Sequence, residues 1–291
     1  MYKWSQHHRD WAQVGTYSPS LQRGGMGTWT PVATLANRTL DAGAVYASKD
    51  FYDPVHKRRI MWGWAHEGTT PATNAQTLPR VVSWHPVLGH LVFAPLPELS
   101  ALRMMPPLSD LEEISLVAEQ ARSLGNWSRG QGNQSEVIAT FKFPPPDMSA
   151  NVTFGIGMMA TNGHPAVEAF VSWISPPGSQ GPWYALAGVG GFGACRGLAP
   201  RAGDPGCAVA NLTLLPSDTE VRVHVFMDQH FCEVYFMGGR VVVTKPVTAH
   251  SDQARFSVWS SVNVTASVRA WRLGSAWVTP AQVLSARDDR D

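Results

Sequence analysis

Charged side chains are scarce in this chain, and long apolar runs are missing. Asp, Glu, Lys and Arg make up 15% of the 291 residues, and 23 basic against 22 acidic side chains leave a formal net charge of +1. This balance excludes the clustered basic excess of a nucleic-acid-binding or polybasic membrane protein. No apolar run approaches the ~20 residues that a membrane-spanning helix needs. The sequence therefore predicts neither a nucleic-acid partner nor a membrane partner.

Sustained helical periodicity is also missing, whereas Gly (26), Pro (22) and Trp (12) are plentiful. Short β-type runs recur at intervals of roughly 10–20 residues, as in antiparallel sheets. This pattern predicts an all-β chain in two domains. The predicted bounds are 1–103 for a first, incomplete domain, 104–118 for a linker, 119–278 for a two-sheet β-sandwich, and 279–291 for a tail.

Cysteines are few, and they bear on the compartment together with six Asn-x-Ser/Thr sequons. Cys195 and Cys207 flank a Gly/Pro/Arg loop, which predicts a short disulfide in an oxidising compartment. For Cys232, within an apolar run, a buried thiol is favoured over a nucleophile. Six sequons indicate a glycosylated protein of the secretory route, and the lack of an apolar leader predicts a missing N-terminal part. The sequons are Asn37, Asn126, Asn133, Asn151, Asn211 and Asn263.

The densest group of sugar-compatible side chains lies between residues 40 and 67. Leu40–Asp53 and Arg58–Glu67 are predicted to form a β-hairpin edged with Asp, Tyr, Lys, Trp and Glu. Indole rings stack on sugar rings, while carboxylates accept hydrogen bonds from sugar hydroxyls. A well-packed hairpin with two core Trp residues is the alternative, and the residues by themselves favour it.

Several ordered motifs resemble those of glycoside hydrolase family 32, which includes plant vacuolar and cell-wall invertases and related fructan enzymes. Asp-x-Gly-x-x-Tyr-Ala-Ser-Lys-x-Phe-Tyr-Asp at 41–53 and Arg-Arg-Ile-x-Trp-Gly-Trp-x-x-Glu at 58–67 resemble the family's fifth blade. Residues 9–17 resemble the strand before it, and Val221–Thr244 resembles strands of the family's C-terminal sandwich. The resemblance implies the C-terminal half only: the last blades of an incomplete five-bladed β-propeller, comprising the end of blade 4 and blade 5, followed by a β-sandwich.

The same resemblance implies a β-fructofuranosidase that releases terminal fructose from sucrose or fructans with retention. Retention requires a carboxylate nucleophile and a carboxylic acid ~5 Å apart. The family's motifs for both groups are absent from these residues: Asp10 follows Arg9 without the family's proline, and Glu67 is not the family's acid. No catalytic residue is assigned, and the chain alone is predicted to be inactive.

Three residues match family positions at or near the sugar pocket. Asp41, Tyr46 and Trp62 are therefore predicted to bind substrate, and Ser48, Trp64 and Glu67 to support the site. His7 and His8 stand near the place of a family Asp/Lys pair, which leaves the leaving-group subsite open.

Other motifs are set aside. No His spacing suits a metal, and no cofactor is expected. Gly188–Gly193 has the letters of a dinucleotide loop, but the residues after it are poor helix formers. A non-catalytic carbohydrate-binding or structural remnant is the alternative function, and hydrolase versus fructosyltransferase is open. The expected location is secreted, cell-wall or vacuolar.

Overall fold

A computed structural model of the chain describes residues 2–6, 9–32, 38–66, 74–125, 127–128, 130–143, 152–158, 167–174, 183–191, 195, 206–229, 231–247 and 255–288. Strands predominate throughout these residues, and the prediction of an all-β chain is confirmed. The strands of the first hundred residues are β1 (Tyr2–Gln6), β2 (Arg9–Gln13), β3 (Gly15–Ser18), β4 (Thr28–Pro31), β5 (Arg38–Thr39), β6 (Val45–Asp53), β7 (Arg58–His66), β8 (Asn74–Gln76), β9 (Arg80–His85) and β10 (His90–Pro95).

A 3₁₀ helix at Pro97–Leu102 leads into the second series of strands. These are β11 (Ser109–Leu116), β12 (Arg122–Ser123), β13 (Gln134–Lys142), β14 (Val152–Met158), β15 (Val167–Ile174), β16 (Trp183–Gly191), β17 (Cys207–Leu214), β18 (Glu220–Asp228), β19 (Phe231–Phe236), β20 (Val241–Pro246), β21 (Ser257–Ser260) and β22 (Val264–Arg272). The described residues end in helix α1 (Pro280–Asp288). None of the described helices has the length and apolar character that a membrane crossing demands.

The first hundred residues form three small antiparallel sheets. One has the order β1-β2-β5, another pairs β3 with β4, and the largest has the order β10-β9-β7-β6 with β8 beside β7. β6 and β7 are the hairpin that the sequence predicts, and the Asp53 carboxylate caps its turn by accepting hydrogen bonds from the backbone N–H groups of Val55 and His56. A bulge between Tyr46 and Lys49 shifts the register, so the strand bends there.

The second series of strands builds two six-stranded antiparallel sheets. Their orders are β11-β22-β13-β18-β19-β20 and β12-β21-β14-β15-β16-β17. The inner faces share one apolar core, in which the rings of Phe141 and Phe154 stack with centroids 5.3 Å apart. Alternation of buried and outward side chains along β13 and β22 fits strands that cover one core.

Two segments differ from their predicted state. Residues 104–118, predicted as a linker, contain β11, which pairs with β22 as the outer strand of its sheet. Its polar outward side chains conceal the strand pattern, because an edge strand has one face in water. The tail at 279–291 contains α1, whose start is a capping box: the Thr279 N–H donates to Gln282 Oε1 and the Gln282 N–H donates to Thr279 Oγ1.

The largest sheet of the first part packs against the second part through an apolar cluster and through backbone hydrogen bonds. Met61 and Phe93 meet Phe226, Tyr235 and Val242 in this cluster. The backbone N–H groups of residues 42 and 44 donate to carbonyls of β20 at 2.8 and 3.2 Å. The chain approaches so closely that a side chain at Gly43 would collide with the Thr244 carbonyl, and this excludes any larger residue there.

Candidate functional site

Four aromatic side chains share one face of the β6–β7 hairpin. Trp62 and Trp64 are two positions apart in β7, so their side chains point to the same face of the hairpin. On β6, Tyr46 pairs with Trp64 and Phe51 pairs with Ile60, which places both aromatic rings on that face as well. The Phe51 and Trp62 rings stack with centroids 5.4 Å apart, and those of Tyr46 and Trp64 lie 4.9 Å apart. Phe51 and Trp64 are 46% and 41% exposed, while Tyr46 and Trp62 are half-buried. The surface, which we call the aromatic face, has the flat apolar planes that a sugar ring can stack on.

Asp41 lies away from this face, in a buried cluster at the junction between the two parts of the chain. Its Oδ1 accepts hydrogen bonds from the backbone N–H groups of Gly43 (2.7 Å) and Thr244 (2.9 Å). Its Oδ2 accepts one from the Thr244 hydroxyl at 2.8 Å and lies 2.8 Å from Arg80 Nη1. Both carboxylate oxygens thus accept hydrogen bonds from the protein, and one of the donors, Thr244, lies 203 positions away in sequence.

Arg80 is the centre of this junction cluster, and its side chain is fully buried. Its Nη2 donates to Glu233 Oε2 and to the Thr244 hydroxyl, both at 2.7 Å, and its guanidinium lies over the Tyr235 ring at 5.5 Å. Glu233 also accepts hydrogen bonds from the Leu78 N–H at 2.6 Å and the Tyr235 hydroxyl at 2.9 Å. The cluster fixes β9 to β19 and β20.

Burial and charge act in opposite directions on these groups. Burial alone lowers the pKa of Arg80, but the neighbouring Tyr235, Glu233 and Asp41 outweigh it and raise that pKa above its usual value. Burial raises the pKa of Glu233 despite the nearby guanidinium. Arg80 therefore stays charged, and it forms ion pairs with two carboxylates that are held out of water.

A second buried group, which motif matching does not reveal, joins β2 to the bulge of β6. Asp10 is 1% exposed, and its carboxylate accepts hydrogen bonds from the backbone N–H groups of Ala47 (3.1 Å) and Ser48 (2.6 Å) and from the hydroxyls of Ser5 and Ser48. Lys3 Nζ donates to the Ser48 hydroxyl at 3.0 Å. The bulge puts Ala47 at φ 53°, a left-handed conformation in which its N–H reaches Asp10. In the sequence, the only local sign of this role is an Asp within a strand, between Arg9 and Trp11.

The three predicted substrate-binding residues thus do not form one constellation. Tyr46 and Trp62 share the aromatic face, whereas Asp41 is enclosed at the junction. Ser48, predicted as support, is buried against Asp10. Glu67, His7 and His8 lie outside the described residues.

None of these enclosed carboxylates suits a glycosidase pair. Asp10, Asp41 and Glu233 are each held by several protein donors, whereas a nucleophile or acid must face the substrate. Among the described residues no group of His, Cys, Asp and Glu could hold a metal ion. Gly188–Gly191 lies within β16 rather than at a strand-to-helix turn.

The other predicted sites lie in the second part of the chain. Cys195 and Cys207 form a disulfide with Cα atoms 5.6 Å apart, and Cys232 is a buried thiol. Asn211 and Asn263 are exposed, and Asn133 is half-buried with its side-chain oxygen enclosed. The sequons Asn37, Asn126 and Asn151 lie outside the described residues.

Comparison with known proteins identifies relatives of one kind. Residues 8–95 match the family model described as the glycosyl hydrolases family 32 N-terminal domain. The chain is 28% identical over 306 aligned residues to β-fructofuranosidase 1 of Zea mays, covering 93% of this chain and 44% of that protein. It is 25% identical to the vacuolar acid β-fructofuranosidase 4 of Arabidopsis thaliana, covering 92% of this chain and 45% of that protein. The chain is a distant homologue of these enzymes and spans less than half of their length.

Solved structures give the same fold. Fructan 1-exohydrolase IIa from Cichorium intybus superposes with a TM-score of 0.77 at 20% identity, covering 94% of this chain and 56% of that chain. A complex of that exohydrolase with 1-kestose also matches, with a TM-score of 0.75. The first hundred residues are thus part of a β-propeller.

These findings correct one prediction. The sequence motifs led us to expect the C-terminal half of the family only, but the matched family model, over residues 8–95, is that of the N-terminal domain. The motifs at 41–53 and 58–67 were placed in the last propeller blade, and that blade was counted with the C-terminal half, whereas the matched model counts residues 8–95 with the N-terminal domain.

Proposed function

We propose that this chain forms part of a β-fructofuranosidase of the family 32 type, acting on terminal fructose of sucrose or fructans with retention. The observation that carries the proposal is similarity to β-fructofuranosidases along 93% of the chain, together with the N-terminal domain match at residues 8–95. The nucleophile and the acid required for retention are not assigned to any residue of this chain.

The proposal gives different roles to the three predicted binding residues. Tyr46 and Trp62 contact the sugar through their ring faces, since they lie half-buried on a surface of four aromatic rings. Asp41 is a positioning residue: through Gly43 and Thr244 it fixes the segment that enters β6, and so sets where Tyr46 stands. A shift of about 1 Å in such a segment is enough to reduce activity strongly.

The finer fold assignment is part of the same proposal. The two six-stranded sheets, which share one core, are the β-sandwich module that accompanies the propeller. The disulfide and the exposed sequons Asn211 and Asn263 support a secretory route, with a secreted, cell-wall or vacuolar location.

The decisive experiment is a chimera in which this chain replaces the matched part of Zea mays β-fructofuranosidase 1. We expect the chimera to release fructose from sucrose and inulin, while the purified 291-residue chain alone releases none. In the chimera, Tyr46→Ala and Trp62→Ala should raise KM, because each removes a stacking surface, and Trp84→Ala serves as a matched control on an exposed indole of the neighbouring strand.

Two outcomes would contradict this proposal. A chimera that is folded by circular dichroism but inactive would refute the assignment of function. Fructose release by the isolated chain would refute the statement that the catalytic carboxylates are not among its residues.

A non-catalytic carbohydrate-binding role is the second candidate, and the exposure of the aromatic face favours it. Quenching of tryptophan fluorescence by inulin in the isolated chain, lost in Trp62→Ala, together with an inactive chimera, would select this alternative.

A further inference from the structure

A cavity of about 410 Å³ opens at the junction, away from the aromatic face. β2, β5 and β10 contribute to it from the first part of the chain, and β17 and β20 from the second. Its polar lining includes the guanidinium groups of Arg9, Arg38 and Arg240, with the imidazole of His90 and the amide of Asn211 beside them. No Asp or Glu is among the described residues that line it.

The three arginines differ in how their charge is balanced. Arg240 forms a two-pronged ion pair with Asp218, with N–O distances of 2.5 and 2.8 Å, and Arg9 donates to the Ala42 carbonyl at 3.1 Å. Arg38 is half-buried in β5, and the described residues offer it no hydrogen-bond or ion-pair partner. A guanidinium partly removed from water is unfavourable without a counter-ion, and none is found among the described residues, so an anion that enters the cavity would pair with Arg38.

His90 is a buried residue in the lining of this cavity. It is 6% exposed, and its Nδ1 lies 2.7 Å from the Leu91 carbonyl oxygen, which leaves Nε2 as the other polar atom of the ring. Its pKa is lowered by burial first, and also by the positive charges of Arg38, His85 and Arg240. The guanidinium groups of Arg38 and Arg240, which line the same cavity as this buried imidazole, indicate a site that favours negative charge.

We propose that this cavity binds a small organic oxyanion, carrying a phosphate or carboxylate group, with Arg38 as its principal ligand. Guanidinium groups bind such oxyanions through paired N–H donors, and the side chain of Arg9 can complete the shell. The volume suits a molecule of metabolite size. The site is independent of the proposed glycosidase function, since it shares no residue with the aromatic face.

Calorimetric titration of the 291-residue chain with inorganic phosphate and with citrate tests the proposal. The protein is made without glycans, because Asn211 is also a sequon, and ionic strength is held constant with NaCl. We expect a Kd on the order of 1 mM for at least one probe. Arg38→Gln should weaken binding about tenfold, which corresponds to about 1.4 kcal/mol, while Arg23→Gln, at an exposed arginine outside the cavity, should not change it.

A second measurement keeps the test valid if Arg38→Gln folds poorly. In NMR titrations of the unmodified chain, the bound anion should raise the pKa of His90, because a negative neighbour favours the imidazolium. Arg38→Lys, which retains the charge, should bind with intermediate affinity. Stronger binding of phosphate identifies a phosphate ester as ligand, and stronger binding of citrate a carboxylate. No binding of either anion, or equal binding by wild type and Arg38→Gln, would overturn the proposal.

Discussion

Removing the guanidinium of Arg80 is the sharpest test of how the two parts of the chain are joined. Arg80→Met retains much of the side-chain volume but leaves Asp41 and Glu233 buried without their shared cation. Breaking a buried ion pair by removing one partner lowers the free energy of unfolding by about 3–5 kcal/mol. We expect a loss in this range, because both carboxylates lose the same partner.

The pH dependence of this loss follows from the same contacts. Burial already raises the pKa of Glu233, and without the Arg80 charge it rises further in the folded state, so the folded variant binds a proton that the unfolded chain releases. Such a group stabilises the fold below its unfolded pKa of about 4 and loses that contribution as the pH rises. The deficit of Arg80→Met should therefore shrink at acidic pH. Glu233→Gln added to Arg80→Met should restore about 1–2 kcal/mol at neutral pH.

Urea unfolding followed by circular dichroism at pH 7 and at acidic pH measures these differences. The matched control is Arg59→Met in the neighbouring strand. The ion pair of Arg59 with Asp50 is solvent-exposed at the arginine, so its loss should lower the free energy of unfolding by less than about 1 kcal/mol. If Arg80→Met and Arg59→Met lose the same small amount, the junction cluster does not hold the two parts together in the way the contacts indicate.

Two further predictions concern the second part of the chain. Glu136 accepts hydrogen bonds from Arg103 at 2.7 Å and lies 2.7 Å from His224 Nε2; burial raises its pKa, but these two partners outweigh burial and lower it. The stabilisation by the Glu136 carboxylate is therefore present above its unfolded pKa of about 4.3 and is lost as the pH falls. Glu136→Gln should lower the free energy of unfolding by about 2–3 kcal/mol at pH 7 and by progressively less below pH ~4. A deficit in urea unfolding that does not change with pH would contradict this. The disulfide joins residues 12 positions apart. Replacing Cys195 and Cys207 by Ser should therefore lower the free energy of unfolding by about 3 kcal/mol. If the Tm of the wild type does not change under reductant, this prediction is refuted.

The strands of the chain could largely be predicted, because alternating and fully apolar runs carry a local signal. Val167–Ile174 and Phe231–Phe236 are two such runs, and each is a single strand in the structure. The acidic segment 109–123 can be read as a linker or as a first strand, because a bulge after Leu111 and a left-handed Glu113 interrupt the alternation of β11. The capping box of α1, Thr279 followed by Gln282, is a local sequence signal for the start of a helix.

The polar clusters could not be predicted, because their members are brought together by sheet order rather than by spacing. Asp41 and Thr244 meet across 203 positions, and Arg80 and Glu233 across 153. The prediction that Asp41 binds substrate comes from its match to a family position, and that match carries no information on the contacts of its carboxylate with Thr244 and Arg80.

The close approach at Gly43 has a consequence for solubility. β20 is the last strand of its sheet, and its segment Val241–Thr244 is apolar and β-branched, the composition of an aggregation-prone edge. The segment 41–44 occupies the hydrogen-bonding groups of that edge, with the N–H groups of residues 42 and 44 donating to Val242 and Thr244. A truncation that begins at β11 would uncover this edge and should self-associate, so any attempt to produce the two-sheet part separately must carry residues 38–95 with it.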